Sequence, residues 1–131
     1  MLLGIIIPFM IGYMFNRFTS DFYWLFKNFH KLILLVIIYP IIEEITFRGW
    51  IQEYISKISI GKVEFFSISI ANIITSIIFS LMHLIYHSYI WAFLVIFPSL
   101  IFGYFKEEFN SVIPAIILHS FYNYMFFSIV S

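Results

Sequence analysis

The stretch FFSISIANIITSIIFSLMHLIYHSYIWAFLVIFPSLIFGYF, Phe65 to Phe105, contains no Asp, Glu, Lys or Arg. A helix that spans the hydrocarbon layer needs roughly 20 apolar residues, so this run is long enough for two crossings. The short polar step at Tyr86-His87-Ser88 divides it, which predicts an antiparallel pair of helices. Outward from this run, Met1 to Asn16 and Phe109 to Ser131 are also free of charged residues. The composition agrees, with 63% hydrophobic residues, 11% charged residues and a mean hydropathy of +1.01. Soluble domains carry about 25% charged residues, so the expected solvent is lipid.

Five hydrophobic helices are expected: about Met1 to Phe15, Leu32 to Trp50, Phe65 to His83, Tyr89 to Phe105 and Val112 to Ile129. The predicted fold class is all-α, a polytopic transmembrane bundle occupying residues 1–131 as a single domain. Met1 to Phe15 lacks a basic n-region and a small-residue cleavage site, which predicts a retained helix rather than a signal peptide. Asn16 to Lys31 mixes basic and aromatic residues and suits the membrane interface. Ile51 to Glu64 is the most polar stretch, and Lys106-Glu107-Glu108 marks a second polar connection. Asn110 and Ser111 are expected to cap the last helix, with Pro114 in its first turn, where a missing N–H does little harm.

Seven Lys and Arg balance seven Asp and Glu, with four His taken as neutral. Nothing in that balance suggests nucleic acid as a partner. Cysteine is absent, which excludes disulfides and thiolate chemistry. Basic residues divide three against four between alternate loops, Arg17, Lys27 and Lys31 against Arg48, Lys57, Lys62 and Lys106, so the positive-inside rule is nearly silent. Abundant Ile, Phe, Asn and Lys point to an AT-rich, bacterial source and hence a bacterial cell membrane.

Against this background the segment Glu43-Glu44-Ile45-Thr46-Phe47-Arg48 stands out. A charge at the bilayer centre costs at least about 2.5 kcal/mol, so intramembrane ionisable groups usually line a pathway or do chemistry. Glu44 and Arg48 are four residues apart on one helix face and are expected to form an ion pair. Glu43 lies on another face, and a carboxylate left over in a low dielectric is expected to have its pKa raised toward the range of a general base. Pro40, just upstream, is expected to break the helix locally and open a wet pocket. His119 and Asn123 are also four apart and can present two donors toward a developing oxyanion. His83 lies near the end of its helix, which places it roughly 10 Å from Glu43 and His119 along the membrane normal unless that helix tilts.

Plainer readings exist for each group. Glu44 and Arg48 can be a purely structural pair, His83 an interfacial histidine beside His87, and Asn123 interhelical glue. The coincidence of Glu43, His83, His119 and Asn123 favours a site. Glu43-Glu44-x-x-x-Arg48, Phe79-x-x-x-His83 and His119-x-x-x-Asn123 resemble, in order and spacing, the three motifs of the CPBP (Abi, CAAX protease-like) family of intramembrane proteases. The resemblance covers roughly residues 35–125 and implies the core of that fold, since members typically have more helices. It implies a glutamate-dependent endopeptidase, with Glu43 activating water, His83 helping to hold and deprotonate it, and His119 with Asn123 stabilising the oxyanion. Glu44 and Arg48 would support the geometry.

The expected partners are the lipid bilayer and a lipidated or hydrophobic peptide substrate; self-association into an oligomer stays open, and no cofactor is implied. For bacterial relatives the resemblance implies bacteriocin processing or self-immunity. Two alternatives stand beside it: a membrane protease using zinc held by the His, Glu and Asn set, and a non-catalytic immunity or interaction protein.

Overall fold

The computed structural model describes residues 27–130, with side chains as far as Ser128. The expected first helix, Met1 to Phe15, and most of the interfacial segment, Asn16 to Lys31, lie outside the described residues. Those that are described are predominantly helical, in keeping with an all-α fold. Helical conformation runs through residues 29–56 (α1) as alternating α and π segments. After a 3₁₀ turn, Ser59–Lys62, come two short antiparallel strands, Glu64–Phe65 (β1) and Ile68–Ser69 (β2). Three helices follow: Ile70–His83 (α2), Tyr89–Glu108 (α3) and Ile113–Val130 (α4). The described residues fall into two compact units, 42–116 and 27–41 with 117–130.

Several boundaries differ from expectation for identifiable reasons. The second expected helix continues past Trp50 to Ser56, with Gln52 hydrogen-bonded to Glu107 and Glu53 to Lys106. The third expected helix begins at Ile70 rather than Phe65. Phe66 and Ser67 adopt φ of 51° and 62°, the paired left-handed geometry of a two-residue hairpin loop. Ser69 then caps α2 by accepting the Asn72 N–H at 2.9 Å. Helix α3 runs three residues beyond Phe105, so Lys106-Glu107-Glu108 is its last turn and not a loop.

Asn110 closes α3 instead of opening α4. Its φ of 47° puts it in the left-handed position, with Asn110 N–H donating to Glu107 O at 3.2 Å and Ser111 N–H to Lys106 O at 3.1 Å. Those two bonds are the Schellman pattern that satisfies the last carbonyls of a helix. Ser111 serves α4 as expected, accepting the Ile113 N–H at 3.2 Å.

In residues 42–116 the usual distribution of polarity is reversed. Arg48, Gln52, Glu44, Asn72, Thr75, Ser76 and Ser99 are fully buried, whereas Trp50 is 72% exposed and Ile42, Phe65, Leu81 and Phe93 also face outward. Water would expel such an arrangement, but lipid favours it, since the polar groups must then find partners inside the bundle. Among the described residues Tyr89–Glu108 is the one helix long and apolar enough to cross a membrane on its own, with mean hydropathy 1.6. The 14-residue α2 is shorter than a full crossing requires.

The interior polar groups fall on ladders of four-residue spacing: Glu44, Arg48 and Gln52 on α1; Asn72, Ser76 and Ser80 on α2; Ser99, Gly103 and Glu107 on α3. That spacing stacks side chains along one helix face. The antiparallel hairpin of α2 and α3 forms as expected, clipped at one end by Ser80 Oγ donating to Ala92 O at 2.6 Å. Further along, Asn72 Nδ2 donates to Leu100 O at 2.9 Å. At its other end Ser69 Oγ donates to Glu107 Oε1 at 2.5 Å.

Gly103 sits where a Cβ would overlap the Asn72 carboxamide. Gly103→Ala is expected to destabilise the protein by about 1–3 kcal/mol through overpacking. Thermal unfolding in detergent measures this, and an unchanged midpoint would show that Asn72 can turn aside without loss.

Where α1 ends, Lys106 Nζ lies 2.5 Å from Glu53 Oε2. Hydrogen bonding and charge attraction from Lys106 hold the Glu53 carboxyl below its ordinary value of 4.5. A depressed carboxyl contributes stability above its ordinary value and loses it as pH falls through the lowered one. Glu53 is 42% exposed, so solvent screening limits the tie to at most about 1 kcal/mol. The difference in thermal midpoint between the wild type and Glu53→Gln should therefore be small, present near neutral pH and lost as pH falls through the lowered Glu53 value.

Candidate functional site

The charged motif on α1 is held by a network spanning three helices. Arg48 Nε lies 3.3 Å from Glu44 Oε2, so the expected ion pair forms, with both side chains fully buried. Arg48 Nη1 donates to Gln52 Oε1 at 3.0 Å and to Ser76 Oγ at 3.5 Å. Arg48 Nη2 donates to the Ser99 carbonyl at 2.8 Å and also to Ser99 Oγ. A guanidinium offers five donors in a fixed plane, and this site uses that fork across α1, α2 and α3. Gln52 passes the network on, donating through Nε2 to Glu107 Oε1 at 2.7 Å and to Gly103 O at 3.2 Å.

Gln52, Asn72, Ser76 and Ser99 were not singled out in the sequence, and Glu107 was read only as part of a polar connection. Their four-residue ladders were the available signal, hidden because Ser and Asn are common in membrane helices for many reasons.

Phe79 joins this network to His83. Its ring lies 4.9 Å from that of Phe47, edge to face, and 5.9 Å from the Arg48 guanidinium carbon. On its other side it is 4.6 Å from the His83 ring. Arg48 with Ser76 and Phe47 with Phe79 define an antiparallel pairing of α1 and α2. One turn back from Phe47 is Glu43, and one turn on from Phe79 is His83. Each of the two therefore lies one turn from the Phe47 and Phe79 contact, His83 as the last residue of its helix.

His83 Nδ1 lies 2.8 Å from the Phe79 carbonyl oxygen. A carbonyl only accepts, so Nδ1 carries the hydrogen and the lone pair of the neutral ring is on Nε2. The His83 ring stacks on that of His87 at 5.9 Å, which next meets Trp91 at 5.9 Å.

Within the π segment Ile45–Gln52 that carries Arg48, Thr46 Oγ1 donates to Ile42 O, four residues back, at 2.8 Å. Such π turns are rare and occur mostly at functional places.

His119 and Asn123 belong to the other unit. His119 is buried, at 6% exposure. Asn123 Nδ2 donates to Leu35 O at 2.8 Å, so the amide expected to face an oxyanion spends one of its two N–H groups on the backbone. Among the described residues no group of three or more His, Asp or Glu gathers where it could hold a metal ion.

The model of the type II CAAX prenyl endopeptidase Rce1-like family matches residues 24–125, which include all three motifs. No curated protein and no solved structure matches the chain. With that match extending over most of its length and a polar interior wrapped in apolar side chains, the chain belongs to the Rce1-like family of membrane-embedded CAAX-type proteases.

Proposed function

We propose that the chain is a glutamate-dependent intramembrane endopeptidase acting on a lipidated or hydrophobic peptide. The observation that supports this reading is the Phe47 and Phe79 ring contact at 4.9 Å, one turn from Glu43 on α1 and one turn from His83 on α2. In the proposed mechanism Glu43 removes a proton from water while Nε2 of His83 accepts a hydrogen bond from the same molecule. The water oxygen attacks the scissile carbonyl carbon, and His119 with the remaining N–H of Asn123 donates to the oxyanion. Collapse breaks the C–N bond as the proton on Glu43 passes to the leaving amine. Preorganised donors of this kind are worth roughly 10²–10³-fold each in acyl transfer. Glu44 and Arg48 keep the α1 turn in place.

In a bacterial cell membrane the substrates that fit are prenyl-like lipopeptides and hydrophobic precursors such as bacteriocins. Purified protein in detergent, incubated with farnesylated C-terminal peptides and with unlipidated hydrophobic peptides, is expected to release a defined fragment that mass spectrometry identifies. Activity should persist in the presence of a chelator. Cleavage that stops with chelator and returns with stoichiometric zinc would replace this mechanism by the zinc one. Failure to cleave any peptide of either class would sink the enzymatic reading in favour of a binding or immunity role.

A further inference from the structure

We propose that Pro40 is a positioning residue for Asn123: by withholding a backbone donor it leaves the Leu35 carbonyl open, and that carbonyl fixes the Asn123 carboxamide.

Backbone hydrogen bonding leads to this directly. The segment Ile33–Ile38 is a π turn, and at its end the Tyr39 N–H donates to Leu34 O, five residues back. In the same register the next acceptor, Leu35 O, faces the nitrogen of residue 40. That residue is proline and has no hydrogen to give. In the α register Leu35 O would take the Tyr39 N–H, but Leu34 already holds it. The π turn itself suits the proline, because widening the helix relieves the clash between its ring and the carbonyl four residues back. The Leu35 carbonyl is therefore without a helical partner in a segment where water is scarce, and the side chain of Asn123, 88 positions away, supplies the donor at 2.8 Å.

A carbonyl acceptor also settles which way the amide points. Nδ2 must face Leu35, so the plane of the carboxamide, its second N–H and its Oδ1 all have fixed directions. His119 lies one turn earlier on the same face of α4 and is buried. The clamp holds the amide in one rotamer before substrate arrives, and this is what an oxyanion donor needs in order to act without reorganisation. Interhelical amide glue would hold the helices equally well with any residue at position 40. Here the amide meets no competing backbone donor at Leu35 because residue 40 is proline.

The catalytic consequence rests on the proposed peptidase reading; the clamp itself does not. Two variants separate them. Asn123→Ala should lower the thermal midpoint in detergent by roughly 4 °C, and the same change should cost nothing once Pro40→Ala has given Leu35 a backbone donor. Pro40→Ala alone should leave the midpoint unchanged or raise it, because the helix regains a bond. Its kcat on a cleavable peptide should nevertheless fall by about tenfold with KM little altered, since the amide is no longer held in its productive direction.

If Asn123→Ala lowers the midpoint equally with and without Pro40→Ala, the clamp is wrong. If the clamp holds but Pro40→Ala keeps full kcat, the positioning role is wrong. A wild-type protein that cleaves nothing overturns the peptidase reading, and with it the positioning role, while the stability cycle still decides the clamp.

Discussion

Glu43→Gln is expected to reduce peptide cleavage by at least about 100-fold while the thermal midpoint in detergent moves little. The amide has nearly the volume of the carboxyl but cannot accept the proton of the attacking water. A positioned general base contributes about 10²–10⁴-fold, and this substitution removes it whole. His83→Ala should cost a similar order if Nε2 holds the same water, and the double variant should be little worse than either single one, because residues acting as a unit are not additive. Single-turnover cleavage of a farnesylated or hydrophobic peptide gives the measurement. Full activity in Glu43→Gln would show that the proton goes elsewhere.

The second large effect concerns stability. Arg48→Met is expected to destabilise the protein by about 3–5 kcal/mol, because it leaves the Glu44 carboxylate buried without its cation. The Ser99 carbonyl and Gln52 Oε1 lose a donor at the same time. Arg48→Lys should rescue only part of this, since an ammonium on a flexible stem cannot serve Glu44, Gln52 and Ser99 together. Adding Glu44→Gln to Arg48→Met should recover stability by removing the stranded charge. Reversible unfolding in mixed micelles tests the series, and a loss below about 1 kcal/mol for Arg48→Met would mean that water or lipid headgroups reach Glu44.

Both predictions concern the same short motif, and they separate two neighbouring acids. Glu44 has its lasting partner on its own helix, four residues on. Glu43 lies one turn back from Phe47, whose ring meets Phe79 of α2. A contact four residues along one helix follows from local geometry. For that reason the Glu44 and Arg48 pair was legible in the spacing alone, as were the capping by Ser111 and the hairpin of α2 and α3. The start of α2 was not legible, because Phe66 and Ser67 are poor candidates for a left-handed loop and nothing in their composition announces one. Nor was the end of α3, whose last turn carries charges that look like a loop until Glu53, Gln52 and Ser69 are found to partner them.

The sequence by itself determined the solvent and the class of fold. Long charge-free runs have low free energy only in lipid, and in lipid a backbone must satisfy its own hydrogen bonds, which leaves helices as the economical solution here. It also determined which residues are available for chemistry, since few ionisable groups occur in such runs at all. Tertiary structure alone decided how they are held. Arg48 reaches Ser76 and Ser99, Phe79 bridges Phe47 and His83, and Asn123 answers a carbonyl that Pro40 leaves open. Each of these depends on the register between segments far apart in the chain, and hydrophobic periodicity carries no information about that register.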